Sequence, residues 1–231
     1  MIYTYTDKLY KKYSLLIVRA FNSLNRELQA LDFDELNTQK AYKTVNDKVT
    51  KVYKKIYDEL IDLLILLALD AFEQGCDKVI EKKGDKIKYY VGKKDGFRKE
   101  MTFDARKYVT EYLGKANYVT KYIFNNEYER KLARTVEAIL TSENKAGMKK
   151  ELDKALKYWN IQAKQTGDNV TIDAYKEGFL AAGVKYVKWV TQRDKKVCAD
   201  CDSKDGKIFE IDKILIPLHY NCRCYFVPYV K

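Results

Sequence analysis

Four of the five cysteines and the single histidine fall within the last 34 residues, as Cys198-Ala-Asp-Cys201 and His219-Tyr-Asn-Cys222-Arg-Cys224, with Asp205-Gly206 between the clusters. Thiolates and imidazole are the donors of zinc sites. A Cys-x-x-Cys turn puts two sulfurs on one side of a tight loop, and His219 with Cys222 and Cys224 can return along a strand to complete a tetrahedron. Five candidate ligands for four places suggest a closed structural site, because a catalytic zinc keeps one position open beside a general base. The fifth cysteine, Cys76, stands at the end of a helical pattern and reads as a small buried hydrophobe.

Other chemistries fit the cysteines less well. A disulfide framework implies export, but Met1 to Leu16 carries tyrosines, an aspartate and lysines where an export signal needs a continuous apolar core. A redox pair wants its Cys-x-x-Cys where a strand opens a helix, whereas Asp202 to Gly206 reads as a turn. Reduced or paired thiols without metal remain the main alternative to zinc. The enzyme alternative is a zinc-dependent nucleic-acid enzyme of the HNH nuclease type, which also carries Cys-x-x-Cys elements. It needs a histidine base and further His or Asn on the catalytic metal, and one histidine cannot fill both roles. Asp200, Asp202, Asp205 and Asp212 lie in turn-like sequence and are more simply turn formers.

The elements that must position this cluster are mostly helical. Leu9, Tyr13, Leu16, Ala20, Leu24, Leu28 and Leu31 recur at helical steps and predict one helix over 7–31. Val45, Val49, Val52, Ile56, Leu60, Leu63 and Leu67 predict a second, long one, with Asp34 as a possible cap and Gly75 as a stop. The expected arrangement is an antiparallel hairpin over 1–77. Residues 78–100 change character: over 78–99 there are nine Lys/Arg against three Asp/Glu, read as a lysine-rich β-hairpin or a linker at a domain boundary. Helical patterns resume from Phe103 and run through 128–140, 149–159 and 172–182, ending at Gly183. Then 184–191 reads as a strand, and 207–211 and 222–229 as two more. The fold class is thus mainly α (α+β), with the β part in a small metal-stapled unit over 184–231. The tyrosines at helical spacing, such as Tyr10, Tyr13, Tyr53, Tyr57, Tyr108 and Tyr112, read as helix packing and not as base-stacking platforms.

Composition narrows the partners. The net charge of +11 is spread over both halves of the chain and suits an anionic partner such as DNA, or simply solubility. Lys82, Lys83, Lys93 and Lys94 are the candidate phosphate contacts. The longest apolar run, Leu63 to Leu69, is far shorter than the roughly 20 residues that span a bilayer, so no membrane partner is expected.

Taken together, the string from Trp189 through Asp194, Cys198, Cys201, Asp205-Gly206 and Phe209 to Pro217-x-His219-x2-Cys222-Arg223-Cys224 resembles the signature of phage Mu F-type minor head proteins, the head-morphogenesis family of tailed phages. The preceding Ala174 to Gly178 and Ala182 to Tyr186 are similar to that family's helix and following strand, so the resemblance covers about 105–230 within a domain placed at 101–231. Tyr220 stands where the family often has proline. The resemblance implies a structural virion component and not an enzyme. Such a protein would be made in the host cytoplasm and held at the portal on the inside of the procapsid, near scaffold or major capsid protein and packaged double-stranded DNA.

Overall fold

The computed structural model describes residues 2–32, 38–76, 79–92, 98–114, 127–216, 218–219 and 222–229. The expected cap Asp34 lies outside them. The chain forms two compact units, one from Met1–Leu63 with Leu113–Lys164 and the other from Leu64–Tyr112 with Gln165–Lys231.

The first unit is helical. It contains α1 (Ile2–Gln29), the first part of α2 (Gln39–Gly75), α4 (Glu127–Leu140) and the first part of α5 (Lys145–Ala181). In α1 the buried stripe is Tyr13, Ile17, Phe21, Leu24 and Leu28. This corrects the sequence stripe, whose Leu16 and Ala20 are only half-buried: Ile17 and Phe21 bury more apolar surface at the same helical steps. The expected antiparallel hairpin is present. The Tyr13 hydroxyl donates to the Ile56 carbonyl at 3.0 Å, and Lys48 meets Glu27 at 2.8 Å. Burial pushes the Tyr13 phenol well above its ordinary value. Tyr53, fully buried, shares a 2.7 Å hydrogen bond with Thr135 of α4 and lies edge-on to Trp159 of α5 at 5.3 Å between centroids. These tyrosines are core residues with a polar handle, as their spacing suggests.

The second unit begins with the Leu-rich part of α2, where Leu64, Leu67, Ala68, Leu69, Ala71 and Phe72 are all buried. Burial on several sides removes the one-face periodicity. The lysine-rich segment forms the expected hairpin, β1 (Val79–Lys83) and β2 (Lys86–Gly92), and adds β3 (Arg98–Asp104) as a third antiparallel strand in the order β1-β2-β3. Phe103 therefore ends a strand, where the sequence pattern starts a helix. Its ring stacks flat on Phe72 at 4.0 Å, and that contact outweighs the local helical pattern. Asp104 then caps α3 (Ala105–Gly114), its Oδ1 accepting from the Lys107 backbone N–H at 2.9 Å. This bond holds the carboxyl below its ordinary value. Asp104→Ala is expected to cost about 1 kcal/mol in a denaturant titration at neutral pH. The difference from the parent should vanish as the pH falls below the ordinary carboxylate range, because a depressed pKa stabilises only where the carboxylate is charged.

Helix α5 is continuous over 37 residues, where the sequence suggests two helical stretches. The intervening Gln162, Gln165, Thr166 and Asn169 are polar yet buried, and Gln165 donates to Asn169 at 3.2 Å. The helix ends as predicted at Gly183, in the left-handed region at φ +81°. Gly183 N–H reaches the Leu180 carbonyl at 3.0 Å and Val184 N–H the Phe179 carbonyl at 3.0 Å, the paired bonds of a Schellman cap. Within this unit α2 and α5 meet at Gly75 and Gly178, where a Cβ added to Gly178 would lie 2.5 Å from the Phe72 carbonyl oxygen. The chain then enters β4 (Tyr186–Val190), the middle strand of a second antiparallel sheet ordered β5-β4-β6, with β5 at Ile208–Glu210 and β6 at Tyr225–Tyr229. Among the described residues no helix is long and apolar enough to cross a membrane.

Candidate metal centre

The cluster sits on this second sheet. Alternation along β4 sends Val187 and Trp189 inward. There they join Phe226, Ile211, Ile214 and Phe179 in a core that also contains the Cys201, Cys222 and Cys224 thiols. After β4 the chain turns through Arg193, at φ +53°, into the single turn α6 (Ala199–Asp202). Cys198 is its cap, with Sγ accepting from the Cys201 N–H at 3.5 Å. Two thiols three residues apart are thus held on one short turn. The expected Asp205-Gly206 turn follows, with Gly206 at φ +76° and its N–H on the Trp189 carbonyl at 2.9 Å.

The five candidate ligands named from the sequence fall into two groups that share one cysteine. His219 Nε2 lies 3.2 Å from Cys198 Sγ and 3.1 Å from Cys201 Sγ, and Cys201 Sγ lies 3.8 Å from Cys222 Sγ. The donor atoms form two sets of three, Cys198/Cys201/His219 and Cys201/Cys222/Cys224, each within 4.8 Å throughout. Cys201 belongs to both. Two thiolates on one tetrahedral zinc, each about 2.3 Å from the ion, sit about 3.8 Å apart, which matches the Cys201–Cys222 separation. The imidazole lies a few tenths of an ångström closer to its sulfurs than a shared ion would place it. Thiol and imidazole donors at these separations are a set that can hold zinc. Pro217, Tyr220 and Asn221 in the returning loop lie outside the described residues.

The thiols differ in their readiness to ionise. Burial pushes Cys201 far up and Cys224 up to about 11, whereas the Cys201 N–H bonded to the exposed Cys198 sulfur lowers that thiol. A cation entering the cluster would displace protons from the buried pair, so its affinity rises with pH.

Arg223 does what its position between two cysteines did not disclose. Its guanidinium grips Asp194 with both nitrogens, at 2.7 and 2.6 Å, and holds that carboxyl down to about 2. Asp205 is more than a turn former: it accepts from the Thr191 N–H at 2.9 Å and from Arg193 at 3.1 Å. These bonds tie the two cysteine-bearing loops to residues 191–194, the stretch that follows β4. They also engage Asp205, one of the acids the nuclease alternative would recruit. Among the lysines proposed for DNA, Lys82 is ion-paired with Glu73, Lys83 is exposed, and Lys93 and Lys94 lie outside the described residues.

A long helix capped by a glycine, a three-stranded sheet and a Cys/His knuckle closed by an Arg–Asp clamp define a small helical domain with a β appendage. Residues 116–227, just under half of the chain, match the family described as Phage Mu protein F like protein, so this stretch is similar to phage Mu F-like proteins. No curated protein and no solved structure matches the chain.

Proposed function

We propose that the chain is a minor capsid protein of a tailed bacteriophage, bound at or near the portal on the inside of the procapsid and acting in head morphogenesis. The observation that carries the reading is the Mu F-like match over 116–227, supported by the two groups of knuckle ligands, joined at Cys201, inside it. On this reading 101–231 is the head domain, and the N-terminal hairpin supplies contacts to portal, scaffold or major capsid protein. Its role is structural. The knuckle would be held by zinc through Cys198, Cys201 and His219, with Cys222 or Cys224 as the fourth ligand, and the ion would fix the fold without acting on a substrate. The net charge of +11 suits non-specific contact with packaged double-stranded DNA.

Co-expression with the portal protein of the same phage tests the assignment. The expected result is a complex that survives size-exclusion chromatography, and procapsids that contain the chain only when portal is present. Procapsids that acquire the chain equally well without portal would overturn the portal assignment. Turnover of DNA that is lost in His219→Ala with folding intact would overturn the structural role.

A further inference from the structure

Helix α1 buries one apolar stripe and leaves a stripe of the opposite kind outside. Lys8, Lys12, Arg19 and Arg26 are exposed, with Lys11 beside the first pair. Their steps of four and seven residues keep them on one helical face. Exposed Asn22 and Leu15 fill the gaps, and no acidic residue occurs between Asp7 and Glu27. Glu27 itself is taken by Lys48 at 2.8 Å. None of the five cations has an ion-pair partner among the described residues.

The other basic surfaces differ. In the β1-β2-β3 sheet Lys82 pairs with Glu73, Lys86 with Asp104 at 3.3 Å, and Lys88 lies between Glu81 and Glu100 at 3.8 and 3.6 Å. On α2 the exposed Lys40, Lys43, Lys51, Lys54 and Lys55 share the surface with exposed Asp47 and Asp58, so that row is interrupted by acids. Cations already neutralised by neighbours gain little from a phosphate. A row of unneutralised like charges instead repels itself until a polyanion arrives. Lys8 to Arg26 extends about 27 Å at 1.5 Å per residue, and duplex DNA carries one negative charge per about 1.7 Å of axis. Two guanidinium forks in the row suit bidentate contact with phosphate oxygens.

We propose that the exposed face of α1 is a binding surface for the phosphodiester backbone of double-stranded DNA. This rests on the DNA-contacting part of the function proposed above and moves the contact from the lysine-rich sheet to the first helix. The contact reads no sequence, because charges spaced along a ridge go to phosphates, which carry no sequence information.

The test is fluorescence anisotropy of the full chain on a mixed-sequence duplex at 50 to 200 mM salt. The parent should bind with a steep log-log salt dependence. Lys12→Gln/Arg19→Gln/Arg26→Gln should flatten the slope by about 2.7, at about 0.9 per lost phosphate contact, while Lys82→Gln/Lys83→Gln keeps the parent slope. Circular dichroism should be unchanged in both, since the altered side chains are exposed and glutamine is a good helix former. A triple variant that keeps the parent slope overturns the α1 surface and leaves DNA contact standing. A parent without salt-dependent binding to duplex removes the DNA reading itself. Polyglutamate that displaces the parent from duplex as well as unlabelled duplex does would also overturn the proposal, in favour of an acidic protein partner.

Discussion

Cys201→Ser is expected to abolish zinc binding, from about one ion per chain to none, and to unfold the β5-β4-β6 sheet with its knuckle. Cys201 is the one donor common to both triads, so its loss breaks both together. Structural zinc contributes on the order of 10 kcal/mol to folding in small zinc-dependent domains, more than such a sheet is able to supply alone. Metal analysis and the fluorescence of the buried Trp189 report the two losses, while far-ultraviolet circular dichroism should keep most of its helical signal. A chelator should reproduce the spectral change in the parent and add nothing in the variant. Serines placed separately at Cys222 and Cys224 assign the fourth ligand, since only one of the two should release the ion. Metal-free protein purified without chelator, together with an unchanged Trp189 signal in Cys201→Ser, would refute the structural zinc.

Gly178→Ala should be the most damaging single methyl group in the helices. The new Cβ would stand 2.5 Å from the Phe72 carbonyl oxygen and 2.9 Å from Gly75 Cα, against backbone atoms that have no rotamer to escape into. Overpacking of a tight core costs about 1–3 kcal/mol, occasionally more, and a backbone obstacle belongs at the upper end. Gly75→Ala meets the Tyr175 carbonyl oxygen at 2.7 Å and should behave alike. Gly147→Ala is the control: its nearest neighbour is 3.6 Å away, and replacing a glycine in a helix should stabilise it by up to about 1 kcal/mol. Urea titrations of the three variants give the ranking. Equal stabilities for Gly178→Ala and Gly147→Ala would mean that the two helices do not cross so closely.

The donor set was legible because thiol and imidazole side chains are rare and were spaced for one loop and one returning strand. What the spacing could not disclose was the sharing of Cys201 between two triads, which depends on how the loops fold back on β4. The hairpin of α1 and α2 was legible from periodicity, although α1 was read with Leu16 and Ala20 in the stripe. Apolar residues stand at 15, 16, 17, 18, 20 and 21, and only the packing of Ile17 and Phe21 decides among them. The continuity of α5 was hidden by polar residues at buried positions, where burial no longer tracks hydrophobicity. Strand β3 was hidden by its charges: Arg98, Lys99, Glu100 and Asp104 look like surface sequence, but β2 supplies a partner for every residue from Arg98 to Asp104.

The two compact units are not consecutive along the chain, since each is closed by a stretch that follows part of the other. During synthesis the first unit lacks α4 and the start of α5 until residue 164 has been made, and the second lacks its β5-β4-β6 sheet until β6 at 225–229 exists. Contacts this distant in sequence make for slow closure: Phe72 of α2 meets Phe103 soon after it is made, but the face at Gly75 must wait for Gly178, translated about a hundred residues later. An emerging chain of this kind depends on chaperones or on early capture by an assembly partner to avoid aggregation.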